Sequence, residues 1–357
     1  MSDEARSELF FALTPETVLA AVEQAGLSCR PVCYPLNSFE NRVYEVELAD
    51  RSRVVAKFYR PGRWSREQIL EEHRFLAELA AEEIPVCPVR PFPDGETLKS
   101  IEGLYYTVAN RQGGRAPDEL SDEMVRRLGR LVARVHNVGA RSTAPSRPRL
   151  TADHYVRSRV DWLASHSSVP RSFEERYFKA ALALADLADP LLERASFHRI
   201  HADLHLGNLL LRDGLLWLLD FDDFVTGPAV QDVWLALPGR GGEAERQREI
   251  FLEAYEDFRS FDFTTLHLIE SLRGLRMVRY AAWLARRWPD PAFRQAWLQF
   301  GTEEYWRQET EDLEEQLAVA RGEVSKAEAG SLEEPDSSPE EAPALTNRDF
   351  FWDWEGD

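Results

Sequence analysis

The strongest hydrophobic pattern in the chain is a pair of short apolar runs in its second half. Leu209-Leu210-Leu211 and Leu215-Leu216-Trp217-Leu218-Leu219 flank Asp213-Gly214, the sequence of a two-residue β-hairpin turn. A hairpin that buries both runs returns its outer ends to one place, so Asn208 and Asp220 are expected side by side. In the first half the pattern has period two. Strands are predicted over 32–36, 42–48 and 53–59, and the alternation is plainest in Val43-Tyr44-Glu45-Val46-Glu47-Leu48. Two more are predicted over 85–93 and 97–108.

Helical periodicity supplies the rest. Residues 15–26 are punctuated by Pro15 and Gly26. Residues 66–81 follow Ser65 as N-cap and bury Ile69, Leu70, Phe75, Leu76 and Leu79. After a flexible break at Arg111-Gln112-Gly113-Gly114-Arg115 the chain turns mainly helical, over 121–138, 173–194, 243–258, 264–288 and 303–321. Strands early and helices late predict an α+β fold. The expected division is a β-rich lobe over 1–110, a helical lobe over 111–321 and an acidic tail over 322–357. The tail's Ala, Glu, Ser and Pro predict disorder. Its end, Phe350-Phe351-Trp352-Asp353-Trp354, is too aromatic to be inert and is expected to dock on the body or on a partner.

Composition narrows the function. At 357 residues, with 44% hydrophobic and 29% charged, the chain has room for two lobes and a core. No apolar run approaches the ~20 residues of a membrane span. The start MSDEARSELF lacks the basic-then-apolar order of a secretory signal. A cytoplasmic monomer with no membrane partner is expected, and three cysteines fit a reducing cytosol. The formal net charge of −19 argues against nucleic acid as partner. Only Lys57, Lys99, Lys179 and Lys326 stand among 43 basic residues. A chain that uses arginine by default keeps lysine where a compact ammonium matters, and Lys57 lies within the third predicted strand.

The chemistry concentrates in HADLHLGNLLLRDGLLWLLDFDD, residues 201–223. Asp203 precedes Asn208 by five residues, so the hairpin gathers Asp203, Asn208 and Asp220. Magnesium prefers such oxygen ligands. Phosphoryl transfer needs a base for the acceptor hydroxyl and side chains on the metal that bridges the phosphates. Asp222 and Asp223, taken alone, read as solvated acids beside a turn. A transition-metal site at His201, Asp203 and His205 ranks below this reading.

His201-x-Asp203-x-x-x-x-Asn208, a hairpin and then Leu219-Asp220-Phe221-Asp222 resemble the catalytic loop and metal segment of protein kinase-like phosphotransferases. The Asp-Phe-Asp resembles the aminoglycoside phosphotransferase and choline kinase branch, as does LGRLVARVH at 128–136. The resemblance implies a bilobal kinase-like fold, Asp203 as catalytic base, and Asn208 and Asp220 as ligands of Mg²⁺, with ATP as cosubstrate. It implies that Lys57 holds the α- and β-phosphates and pairs with an acid on the 66–81 helix. Glu71 and Glu72 compete for that place; Glu72, which borders the inward face, is preferred and Glu71 reads as solvated. The turn at 37–41 would lie over the phosphates. It lacks the usual glycines, so Ser38 as a phosphate cap and a plain polar turn stay level. Asp232 would brace the catalytic loop, and His136 reads as structural. PLNSFENRVYEVE, VVAKFYRPGRWSREQILEEHRFLAEL, GPAVQDVWLAL and MVRYAAWLARRWPDPAF are similar to a bacterial branch that phosphorylates protein serine and threonine under stress, which implies a protein acceptor. A small-molecule kinase for an amino alcohol, sugar or homoserine-like hydroxyl is the alternative, and a nucleotide-binding module without turnover is another. Arg273, Arg276, Arg279, Arg286 and Arg287 read as a solvated helix face, or else as an attractant for an acidic acceptor segment.

Overall fold

The computed structural model describes residues 10–11, 13–36 and 38–324. Asn37 and the tail from residue 325 onward, with its aromatic end, lie outside the described residues. The chain divides into two compact units. The first holds the described part of Met1–Asp118 together with Ala144–Arg147 and Asn208–Phe224. The second holds Glu119–Thr143, Pro148–Gly207 and the described part of Val225–Asp357. No single cut near residue 110 separates them, because the Asp213-Gly214 hairpin belongs with the earlier part of the chain.

The first unit is built on an antiparallel sheet. Strands β1 (Cys29–Leu36), β2 (Arg42–Leu48), β3 (Arg53–Phe58), β4 (Lys99–Ile101) and β5 (Leu104–Asn110) lie in the order β1-β2-β3-β5-β4. Helix α1 (Pro15–Glu23), capped by Thr14, covers one face. Val54, Ala56 and Phe58 of β3 join Val18, Ala21 and Val22 in that core. Period two then turns Val55 and Lys57 to the opposite face, where helix α2 (Arg66–Ala81) supplies Lys57's partner. Ser65 caps α2 as expected, with Gln68 completing a capping box.

Two strand predictions change. The run over 97–108 is β4 and β5 joined at Glu102 (φ 52°) and Gly103 (φ 83°), left-handed residues that a tight hairpin requires. The stretch 85–93 is not a strand. Pro85, Pro88, Pro91 and Pro93 remove the amide donors a ladder needs. Only Val86 and Val89 bridge, to Leu218 and Ala109. The hairpin Leu209–Arg212 with Leu215–Leu218 forms as predicted, and its Asp213 and Gly214 have φ 51° and 78°. Arg115 bridges its Leu211, and Leu218 N–H donates to the Pro85 carbonyl at 2.9 Å. These bonds tie the hairpin to the first unit.

The second unit is mainly helical: α3 (Asp122–Gly139), α4 (Ser158–Ser165), α5 (Arg171–Arg194), α6 (Val230–Ala236), α7 (Gly242–Glu256), α8 (Ile269–Arg287), α9 (Pro291–Ala296) and α10 (Glu303–Arg321). Ser121 caps α3. Gly129 lets α3 lie against α7 so closely that a Cβ there would stand 2.3 Å from the Phe251 carbonyl oxygen. A two-stranded ladder, His198–Ile200 with Val225–Gly227, anchors the loop that starts at His201. The α+β class expected from the chain is the one observed. Among the described residues no helix is long and apolar enough to cross a membrane.

Candidate active site

In the first unit one lysine collects acids. Lys57 Nζ lies 3.2 Å from Glu72 Oε1, 3.0 Å from Asp222 Oδ1 and 3.6 Å from Asp220 Oδ1. The choice between the two glutamates resolves by helix phase. Glu72 faces the lysine, while Glu71, expected to be solvated, is buried and accepts the amide N–H groups of Ser146 and Arg147. Burial works against the Lys57 charge, yet Asp222 and Glu72 hold its ammonium well above the usual lysine range. Burial also pushes Glu72 up to about 7 against the pull of Lys57, and Asp222 adds to the rise.

Asp222 is the main correction. It was expected to be a solvated turn residue, but its side chain is 3% exposed. Besides Lys57 it meets Arg63 Nη1 at 2.5 Å, Asn41 Nδ2 at 3.2 Å and Trp64 Nε1 at 3.3 Å. Burial penalises its charge, but Lys57 and Arg63 outweigh that and hold the carboxyl well below the usual carboxylate range. Arg63 also reaches Asp223 at 2.7 Å and Glu40 at 3.3 Å. The signal for Asp222 was its place in Asp-Phe-Asp; Arg63 and Asn41 carried none beyond nearness to a strand end.

Asp220 is arranged differently. Its backbone is left-handed (φ 52°, ψ 70°), a costly conformation for a residue with a Cβ. Its side chain stays 56% exposed. The protein mass around it raises its pKa, Lys57 opposes the rise, and the neighbouring Asp222 and Asp223 charges add to it. The hairpin closes at this end, with Leu219 N–H donating to the Asn208 carbonyl at 2.9 Å. An exposed carboxylate crowded by other acids suits a divalent cation. Two oxygen-bearing residues with phosphate oxygens and water would complete the set magnesium takes. Among the described residues no group of three or more His, Cys, Asp or Glu could hold a metal by itself. Ser38 Oγ accepts the Asn41 N–H at 3.3 Å and so caps its own turn.

In the second unit the loop after His198–Ile200 is held from below. Asp232, near the start of α6, accepts the N–H groups of His201 at 2.9 Å and Ala202 at 2.7 Å. Ala202 is left-handed (φ 66°), and these two charge-assisted bonds offset the cost. His136 Nε2 meets Asp232 Oδ2 at 3.0 Å and its Nδ1 meets the Tyr255 hydroxyl at 2.9 Å. The loop thus presents Asp203 from a rigid base. Asp203 Oδ1 lies 2.8 Å from Arg276 Nη2, and Oδ2 lies 3.6 Å from His205 Nε2. Burial opposes ionisation of Asp203, but Arg276 and His205 hold its pKa well below the usual range. Arg276 and Arg273, expected on a solvated face, are instead packed in. Arg276 pairs with Asp203, and Arg273 lies 3.5 Å from Glu270.

Comparison with known proteins agrees with this geometry. Residues 33–269 match the model of a phosphotransferase enzyme family. The chain is similar to stress response kinase A of Escherichia coli (strain K12), with 38% identity over 87% of this chain and 94% of that protein. It is equally similar, at 38% identity over the same shares, to serine/threonine protein kinase RdoA of Salmonella typhimurium (strain LT2). Among solved structures, amicoumacin kinase hAmiN in complex with AMP-PNP, Ca²⁺ and Ami superposes with TM-score 0.67 at 18% identity, covering 88% of this chain and 95% of that one. A microcompartment-associated aminopropanol kinase superposes with TM-score 0.64 at 19% identity, covering 89% and 99%.

Proposed function

The chain belongs to the phosphotransferase enzyme family, and from that premise we propose that it moves the γ-phosphoryl group of ATP to serine and threonine hydroxyls of proteins, as a cytoplasmic monomer serving a stress response. The observation that carries the reading is Lys57 held between Glu72 and Asp222 with the Asp220 carboxylate left open. In this reading the Lys57 ammonium, kept charged and oriented by Glu72, binds the α- and β-phosphates. Asn208 and Asp220 hold Mg²⁺, which when bound neutralises charge on the phosphates. Asp203 orients the acceptor hydroxyl and takes its proton. Its low pKa suits a loose transition state, in which little proton transfer is needed before the phosphoryl group has moved.

The acceptor is inferred from charge and from relatives. The relatives of high coverage bear the names stress response kinase and serine/threonine protein kinase. Arg276 beside Asp203 disfavours cationic acceptors such as aminopropanol, whose amine it would repel. The test is transfer of labelled γ-phosphate to casein and to a panel of small alcohols, including aminopropanol, by the wild type and by Asp203→Asn. Transfer to protein serine and threonine, lost in the variant, is expected. Turnover of a small alcohol with none on protein would overturn the reading, and so would full activity of the variant.

A further inference from the structure

We propose that Tyr59, His73 and Thr97 are positioning residues for Lys57: they form a directed chain of hydrogen bonds that ends on Glu72 and fixes its carboxylate against the lysine. This rests on the proposed role of Lys57 at the phosphates and adds to it. The Tyr59 N–H donates to the Tyr105 carbonyl at 2.9 Å, which carries the β3–β5 pairing one residue past Phe58. Lys57 and Tyr59 are two apart on that extended run, so both side chains leave it on the same side. The Lys57 ammonium lies 4.9 Å from the centre of the Tyr59 ring. Glu72 divides its two oxygens between them. Its Oε1 lies 3.2 Å from Lys57 Nζ, and its Oε2 accepts the Tyr59 hydroxyl at 3.5 Å, the longest link of the chain. The Tyr59 oxygen lies 2.9 Å from His73 Nε2, and His73 Nδ1 lies 2.9 Å from Thr97 Oγ1. Thr97 is fixed in turn, because the Thr107 hydroxyl donates to its carbonyl at 2.9 Å.

The direction of the chain follows from which groups carry protons. Tyr59, Glu72 and His73 are all buried. Burial, and then the Lys57 charge, holds His73 down at about 3, so its ring is neutral. A neutral imidazole has one N–H and one lone pair. Burial and the Glu72 charge hold the Tyr59 phenol well above its usual range, so it keeps its proton. Two orders satisfy the ring. In the first, Tyr59 donates to Nε2 and Nδ1 donates to Thr97. The single Tyr59 proton is then committed to the imidazole, and Glu72 Oε2 loses it. In the second, Thr97 donates to Nδ1, Nε2 donates to the Tyr59 oxygen, and the Tyr59 hydroxyl donates to Glu72. Only the second order delivers a donor to a buried carboxylate. A hydrogen bond to an ionised acceptor is about twice as strong as one between neutral groups, and this selects the second order. With Oε2 held, the carboxylate cannot turn Oε1 away from Lys57. The ammonium then stays between Glu72 and Asp222, whose Oδ1 draws it from the other side at 3.0 Å.

The test reads the His73 tautomer and the affinity for ATP. Nitrogen-15 NMR separates a protonated from an unprotonated ring nitrogen, and the His73 signal is assigned by its loss in His73→Asn. At about pH 8, above the Glu72 pKa of about 7, the proton is expected on Nε2. In Tyr59→Phe that N–H loses its acceptor, and the proton should move to Nδ1, where Thr97 Oγ1 can accept it. Tyr59→Phe should also weaken ATP binding, measured by calorimetry with Mg²⁺, about fivefold, with circular dichroism and melting showing the fold intact. In a Glu72→Ala background the same substitution should change the affinity by less than about twofold, because Tyr59 acts through that carboxylate. Thr97→Ser, which keeps the hydroxyl, should retain both the tautomer and the affinity. A proton on Nδ1 in the wild type overturns the proposal. So does a fivefold loss that persists in Glu72→Ala, since Tyr59 would then act by packing alone. A wild type that binds no ATP would sink the phosphate role of Lys57 instead, while the tautomer, read on the nucleotide-free chain, tests the chain of bonds by itself.

Discussion

Lys57→Met removes the counter-charge shared by Glu72 and Asp222, whose side chains are 4% and 3% exposed. Breaking a buried ion pair by deleting one partner typically costs about 3–5 kcal/mol. Two features reduce that here. Asp222 keeps Arg63 at 2.5 Å, and Glu72, already pushed up to about 7, can take a proton and go neutral. Near pH 6, where Glu72 is mostly protonated, the expected loss is therefore about 2 kcal/mol. The sign at higher pH follows from linkage. The folded pKa of Glu72 lies above its unfolded value of about 4.3, so wild-type stability falls from there up to pH 7 and then levels off. Without Lys57 the folded pKa climbs further, and the fall continues past pH 7 at about 1.4 kcal/mol per unit. The deficit of the variant should thus grow by about 2 kcal/mol between pH 7 and pH 8.5. Urea unfolding followed by tryptophan fluorescence measures it at both pH values, with and without Glu72→Gln. That second substitution should abolish the growth. A deficit of equal size at both pH values, or growth that survives Glu72→Gln, refutes Glu72 as the titrating partner of the lysine.

Three further outcomes are expected. Asp203→Asn should lower phosphoryl transfer by about 10²–10⁴-fold while calorimetric ATP affinity stays unchanged; a parallel loss of ATP binding would mean that Asp203 does not serve the acceptor side. The acid limb of the rate profile should fall near pH 7 as Glu72 gains its proton, because Asp203 stays ionised far below that; if the limb persists in Glu72→Gln, another group sets it. Gly129→Ala would bring a Cβ to 2.3 Å from the Phe251 carbonyl oxygen and must part α3 from α7. It should cost about 2 kcal/mol, and an unshifted melting temperature would show that the two helices are less tightly seated.

Much of this protein could be read from local order alone, because its elements are marked by local physics. Period two in 42–48, the Ser65 and Ser121 caps and the Asp213-Gly214 turn each depend on residues close in the chain, and each element formed where expected. Lys57 was legible for the same reason, since strand alternation and the rarity of lysine both mark it. Proline content undid the strand over 85–93, and the Glu102-Gly103 turn split another; both were local signals given too little weight. Charge partners were a different matter. Whether Glu71 or Glu72 meets Lys57 turns on 100° of helix phase relative to a strand. Asp222 takes its partners from residues about 160 positions earlier, and Arg276 meets Asp203 across more than 70. An acid with no visible partner reads as solvated, since burying an unpaired charge is costly. Which residue types stand at which spacing was therefore settled by the amino-acid order. Which of the charges are buried, and against what, was decided only when the chain brought its distant pairs together, because electrostatic energy depends on separation and surrounding dielectric in space, not along the chain.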